Sequence, residues 1–172
     1  RRAPHIDPLF LTRWQIEHSL DVFAIELLDV KERHLRLEGD DIFERLEVPN
    51  TYLRLQIEHE LRGKHIQLRQ AYLLSSNHAQ ALGGTLVGSA SGFTALFRAL
   101  LRLRGEAPPA DRSRTIARVA ELFGLDAEGL LAAHMLKSSG RRPPAAELHA
   151  TYARFLTEID RLVVAIDELK ST

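Results

Sequence analysis

The chain contains no cysteine, which excludes disulfide bonds and thiolate metal sites and makes a reducing compartment the natural expectation. It also lacks any excess of charge, because Lys plus Arg and Asp plus Glu both number 23. A dedicated nucleic-acid binder ordinarily carries a clear basic surplus, so nucleic acid is not an expected partner. No apolar run approaches the roughly 20 residues that span a bilayer, and no secretory pattern opens the chain. The expectation is therefore no membrane partner and cytoplasmic placement. Three motifs of known mechanics are missing as well: the GxxxxGKS/T phosphate loop, the HExxH zinc helix and the GxSxG nucleophile elbow. The eight histidines contain no pair at i, i+4. No metal site and no cofactor are expected in this segment.

What is present reads as ordinary globular material. With 172 residues, 45% of them hydrophobic and 27% charged, the chain suffices for one domain with a single core, with or without a short appendage. The cations are unevenly made, 19 Arg against 4 Lys. Arg suits forked pairing with carboxylate or phosphate, although a high-GC genome produces the same bias. The opening Arg1-Arg2-Ala3-Pro4, without Met, is what a piece of a longer protein would show.

Periodicity divides the chain near residue 48. Residues 8–20 predict a short helix with Thr12 as N-cap. Residues 21–30 set Val22, Phe23, Ile25, Leu27, Leu28 and Val30 in a short apolar run that predicts a largely buried strand. His34 to Leu37 alternates as a second strand would, and Asp40 or Asp41 could cap a short helix ending before Pro49. From Asn50 the pattern is helical. Leu53, Ile57, Leu61, Leu68 and Tyr72 share one face, flanked by the i, i+4 pairs Glu58–Arg62 and Glu60–Lys64. Further helices are predicted over 79–104, over 111–123 with Gly124 as terminator, from Asp126 to about Lys137, and over 145–169; residues 138–144 predict a loop. The fold class expected is mainly α: an antiparallel four- to five-helix bundle with a short β-containing N-terminal segment.

Four groups of residues are candidates for function. Gly84, Gly88 and Gly92 recur at a strict spacing of four inside a helix, where each costs about 1 kcal/mol relative to Ala. Close packing against the 50–74 helix is the expected return, with a pocket as the alternative. Ser89 and Ser91 beside that stripe, with Arg98 and Arg102 one turn apart, could bind a substrate or anion. Glu26 and Asp29, carboxylates in an apolar run, are candidates for catalysis or for a pairing with Arg33. Arg13-x-x-x-x-His18 and Arg54-x-x-x-x-His59 resemble the spacing in ribonucleases of the helical HEPN superfamily. This composition gives about one such match by chance, and neither Arg is followed by the usual polar residue.

Taken in order, SLDVFAIELLDVKERH, LEGDDIFERL, the helix LRLQIEHELRGKHIQLRQAYL and a helix ending FTALFRALLRLRGEAPP resemble bacterial nucleotidyltransferase-like proteins over roughly residues 10–125. The resemblance implies that residues 1–48 are the tail of an upstream α/β nucleotidyltransferase-like domain and that 49–172 are its helical partner domain. It further implies that magnesium and a nucleoside triphosphate serve the parent protein, not this segment. The family's Gly-Ser turn followed by two acidic residues separated by one is missing: Gly88-Ser89 has no such pair after it. The function expected is therefore a helical accessory or substrate-binding domain, not catalytic by itself, whose partner is its own upstream domain. Glu26 or Asp29 would match the family's third carboxylate. The alternative is an interaction or dimerisation module, forming a homodimer or holding a toxin–antitoxin or regulatory partner.

Overall fold

The computed structural model describes residues 8–75, 77–139 and 143–169. Among these residues lie seven helices and no strand: α1 (Arg13–Glu17), α2 (Ala24–Arg33), α3 (Asn50–Ser75), α4 (Ala79–Leu103), α5 (Arg112–Phe123), α6 (Ala127–Ser139) and α7 (Ala145–Glu168).

The largest core joins α3, α4 and α7. Cross-helix contacts give the directions. Arg62 pairs with Asp167, His65 with Asp160, and Tyr72 with His149, so α3 and α7 run antiparallel. A Cβ at Gly83 would touch Leu148, and Phe93 meets Phe155 edge-on at 5.5 Å, so α4 and α7 run parallel. Two parallel helices need a long crossover, and α5 with α6 supplies it. The central layer is Leu53, Ile57, Leu61, Leu86, Phe93, Phe97, Phe155 and Ile159, none more than 2% exposed.

Local chemistry sets the ends of these helices. Asp111 accepts the Arg114 N–H at 2.8 Å and starts α5, and Gly124, at φ +63°, ends it in the left-handed region. Glu158 of α7 is a buried carboxylate that accepts the Asp126 N–H at 2.8 Å, while Asp126 accepts from Glu128, so two carboxylates sit at the start of α6. The chains come close there because residue 129 is Gly: a Cβ would lie 3.3 Å from Asp126 Oδ2 and 3.4 Å from Glu158 Cγ. The loop expected over 138–144 begins later than predicted, since α6 continues to Ser139, and 140–142 fall outside the described residues.

The β-containing segment is a correction. Residues 24–33 form a helix, and residues 34–37 continue as loop. A short apolar run satisfies both periods, and here the helical one wins. Ala24, Ile25 and Leu28 turn toward the bundle, while Leu27 turns the other way onto Ile16 and Leu46. Glu26 in the first turn and Lys31 and Arg33 in the last turn suit the helix dipole. Two of the six residues read as strand, Val22 and Phe23, precede the helix and are 56% and 51% exposed. Leu35 and Leu37 are also exposed, with no neighbouring strand to pair them. Residues 42–45, expected as a short helix, form a turn.

The expected absence of a long apolar run also needs correction. Ala79–Phe97 carries no charge, and α4 is long and apolar enough by length and composition to cross a membrane. In this fold Leu82, Leu86, Phe93, Leu96 and Leu100 of α4 are buried among the other helices, as in the centre of a bundle.

Candidate functional site

Arg102 and Arg98 project from the C-terminal end of α4 onto α2. Arg102, its side chain 6% exposed, donates Nε and Nη2 to the two oxygens of Glu32 at 2.7 and 2.6 Å and Nη2 to Asp29 at 2.5 Å. Burial alone would lower its pKa, and the hydrogen bonds it donates to Glu32 and Asp29 more than offset that. The same bonds hold the Glu32 carboxyl below its ordinary range. Asp29 also takes Arg33 at 3.2 Å and lies 3.9 Å from Arg98 Nε. Burial, followed by the nearby Arg33 charge, lowers the Arg98 pKa. The anions that these arginines meet are thus carboxylates of their own chain, and the cluster clamps α2 to α4. Asp29 is paired with Arg33, as spacing suggested. Glu26 is held elsewhere: Gln56 of α3 donates to it at 2.8 Å and accepts the Ile25 N–H at 2.8 Å, capping α2 from outside.

Ser89 and Ser91 do not join the two arginines. At 1.5 Å per residue, Ser89 lies roughly 13 Å along α4 from Arg98. Its hydroxyl bonds the Tyr152 phenol, which in turn donates to the Leu68 carbonyl at 2.8 Å. Burial pushes the Tyr152 pKa up to about 12, against the Ser89 bond. Ser91 donates to the Val87 carbonyl of its own helix at 2.9 Å.

The glycine stripe does not pack closely against α3. A Cβ at Gly84 or Gly88 would meet nothing within 4 Å, and one at Gly92 would meet only the flexible end of Lys64, at 3.8 Å. The stripe lies on the exposed side of α4, and Gly88 and Gly92 form one wall of a groove of about 270 Å³ that includes Lys64, Gln67, Ala71 and Ser89. The glycines that do approach neighbours, Gly83 and Gly129, lie outside the stripe. Of the Arg–His pairs, Arg54 bonds Glu58 at 3.1 Å, and His18 stacks on Trp14 with ring centroids 4.4 Å apart. Among the described residues, no three His, Asp or Glu side chains converge as metal ligands would.

A surface that spacing did not reveal lies in the N-terminal arm, residues 9–47. Nine of the sixteen exposed large apolar side chains among the described residues fall between 9 and 37, with Leu9, Phe10 and Trp14 at 81%, 88% and 65% exposure. Beside them is a pocket of about 310 Å³ with Ile16, Leu20, Ile42 and Leu46 on its walls and Arg13, Glu17, Asp41, Arg45 and Glu47 around them. Beneath it Ile16, Leu27 and Leu46 form a separate three-residue cluster. The sequence signal was available: apolar residues without helical partners on a segment too short to bury them.

No family profile, no curated protein and no solved structure matches the chain.

Proposed function

We propose that this chain is a non-catalytic helical accessory domain that docks onto a neighbouring protein domain through residues 9–47. The observation that carries the reading is the concentration of exposed apolar side chains there, next to a pocket with apolar walls and charged surroundings. Exposed apolar side chains gathered on one short segment mark a candidate interaction surface, and an apolar anchor seated in a pocket is a usual centre of a protein interface. The sequence resemblance supplies the occupant, a nucleotidyltransferase-like domain. Magnesium and a nucleoside triphosphate would then be held by that domain, since the candidate carboxylates Glu26 and Asp29 are committed to Gln56, Arg33 and Arg102.

Trp14 is the chain's only tryptophan, so its fluorescence reports docking directly. Mixing the chain with the nucleotidyltransferase-like domain should shift Trp14 emission to the blue and protect it from acrylamide, and Phe10→Ala should weaken both effects. Unchanged emission at every concentration would overturn the reading. Protection that grows with the concentration of the chain alone would instead assign the surface to a second copy.

A second reading has one observation behind it. The α3–α4 groove is open along its glycine wall and has the Lys64 ammonium, 3.6 Å from Glu60, at its edge, which a small anionic substrate could share. Gly88→Leu would fill that space and abolish such binding without unfolding the bundle.

A further inference from the structure

One wall of the arm's pocket is held in place by a histidine. His34 caps the C-terminus of α2, and Asp41 opens the turn that carries Ile42, Arg45 and Leu46 into the pocket. The His34 Nδ1 lies 3.0 Å from the Val30 carbonyl and 3.1 Å from the Lys31 carbonyl. Its Nε2 lies 3.0 Å from both oxygens of Asp41. Carbonyls and an ionised carboxylate only accept hydrogen bonds, so both ring nitrogens must carry protons. The geometry therefore specifies an imidazolium. Its position at a helix C-terminus favours that cation further.

The surroundings leave Asp41 as the decisive partner. On α2, Arg33 is bound to Asp29, and Lys31 Nζ donates to the Leu46 carbonyl at 2.6 Å. On the loop Arg36 reaches the Gly39 carbonyl, and Glu38 and Asp40 are its other charges; Glu44 and Arg45 belong to the turn. Phe43 covers one side of the ring, 5.2 Å from it. Asp41 in turn accepts the N–H groups of Phe43 and Glu44 at 3.0 and 3.1 Å. The neutral ring keeps only one N–H, so loss of a proton leaves a lone pair facing either Asp41 or the Val30 and Lys31 carbonyls and removes the ion pair, weakening a clasp that the Lys31 bond to the Leu46 carbonyl alone would then have to hold.

We infer that the His34–Asp41 clasp is a pH-sensitive latch on the docking pocket, tight while His34 is doubly protonated and loosened when it loses a proton. This regulation rests on the docking reading for its purpose, but not for its mechanics. The Asp41 hydrogen bond raises the His34 pKa above its usual value and the His34 bond lowers that of Asp41. The closed window therefore runs from below the ordinary carboxylate range to above the ordinary histidine value.

The test is a histidine NMR titration of the whole chain combined with amide exchange at Phe43 and Glu44. Exchange is corrected for its intrinsic pH dependence. In the parent chain, His34 should titrate above the ordinary histidine value, and protection of both amides should fall as it does, by up to about tenfold per pH unit beyond that point. Asp41→Asn keeps a cap for the turn but removes the charge. In that variant His34 should return toward its ordinary value and the step in protection should disappear. A parent chain with no step, or a step that survives in both Asp41→Asn and His34→Gln, would overturn the latch. Failure of any domain to dock at every pH would overturn the docking reading alone, because this readout uses no partner.

Discussion

The bundle and the arm handle apolar surface in opposite ways. Phe155 of α7 is fully buried against Phe93 and Tyr152 shares that core, whereas Trp14 and Phe10 of the arm are mostly exposed. The bundle closes because α3, α4 and α7 each run for at least 24 residues and cover one another's apolar faces. The arm cannot do the same. Its two helices have 5 and 10 residues, and their own cluster buries only Ile16, Leu27 and Leu46. α2 is held to the bundle by Ala24, Ile25 and Leu28 and by polar ties, the carboxylates of Asp29 and Glu32 on Arg102 and the Gln56 cap.

The sharpest way to break that comparison is to delete one aromatic side chain from each region. Phe155→Ala should cost about 3–5 kcal/mol, the range for emptying a packed aromatic site. Trp14→Ala should change stability by no more than about 0.5 kcal/mol, as a surface substitution does. Chemical denaturation of the two variants checks both numbers, and a large loss at Trp14 would move the arm into the core.

Two glycines sharpen the contrast further. Gly129→Leu drives a side chain into Asp126, Glu158 and Arg154 and should cost about 1–3 kcal/mol by overpacking. Gly88→Leu meets open space, so its melting temperature should equal or exceed that of the parent. Tyr152→Phe removes a hydroxyl that links α7 to α3 and α4, and should cost about 1 kcal/mol in a denaturant series.

These pairs also mark what the sequence could and could not reveal. Helices α3, α4, α5 and α7 were legible because an apolar face repeated over several turns, and Asp111 and Gly124 announced the ends of α5. Thr12 announced α1 equally well: its hydroxyl accepts the Gln15 N–H and the Gln15 side chain returns the bond. The segment 21–30 was not legible, since seven apolar residues in ten satisfy either period and only a partner decides between them. That partner is remote. Arg102 is 73 residues from Asp29, and nothing in the spacing of Arg98 and Arg102 says that carboxylates of the same chain will occupy them. The glycine stripe showed its spacing but not its direction, so close packing was the wrong expectation for Gly84 and Gly88. His34 and Asp41 fit no motif. His34 was expected to open a strand, not to end a helix.

The pH dependence is the mildest effect expected in the molecule and confines itself to the arm. His34 and Asp41 contribute together between their two shifted pKa values. That contribution is lost on the alkaline side as pH rises through the His34 value, and on the acid side as it falls through the Asp41 value. Thermal melts of the bundle should hardly respond across the neutral range, whereas protection of residues 42–46 should.

Amide hydrogen exchange of the chain, alone and with the nucleotidyltransferase-like domain, tests the difference between the two regions most directly. Alone, the amides of residues 13–46 should exchange well ahead of those in α3, α4 and α7, because little apolar surface covers them. Addition of the domain should slow exchange in that arm and leave the bundle unchanged. An arm already as protected as α4 with no partner present, or new protection falling on the α3–α4 groove, would contradict the account.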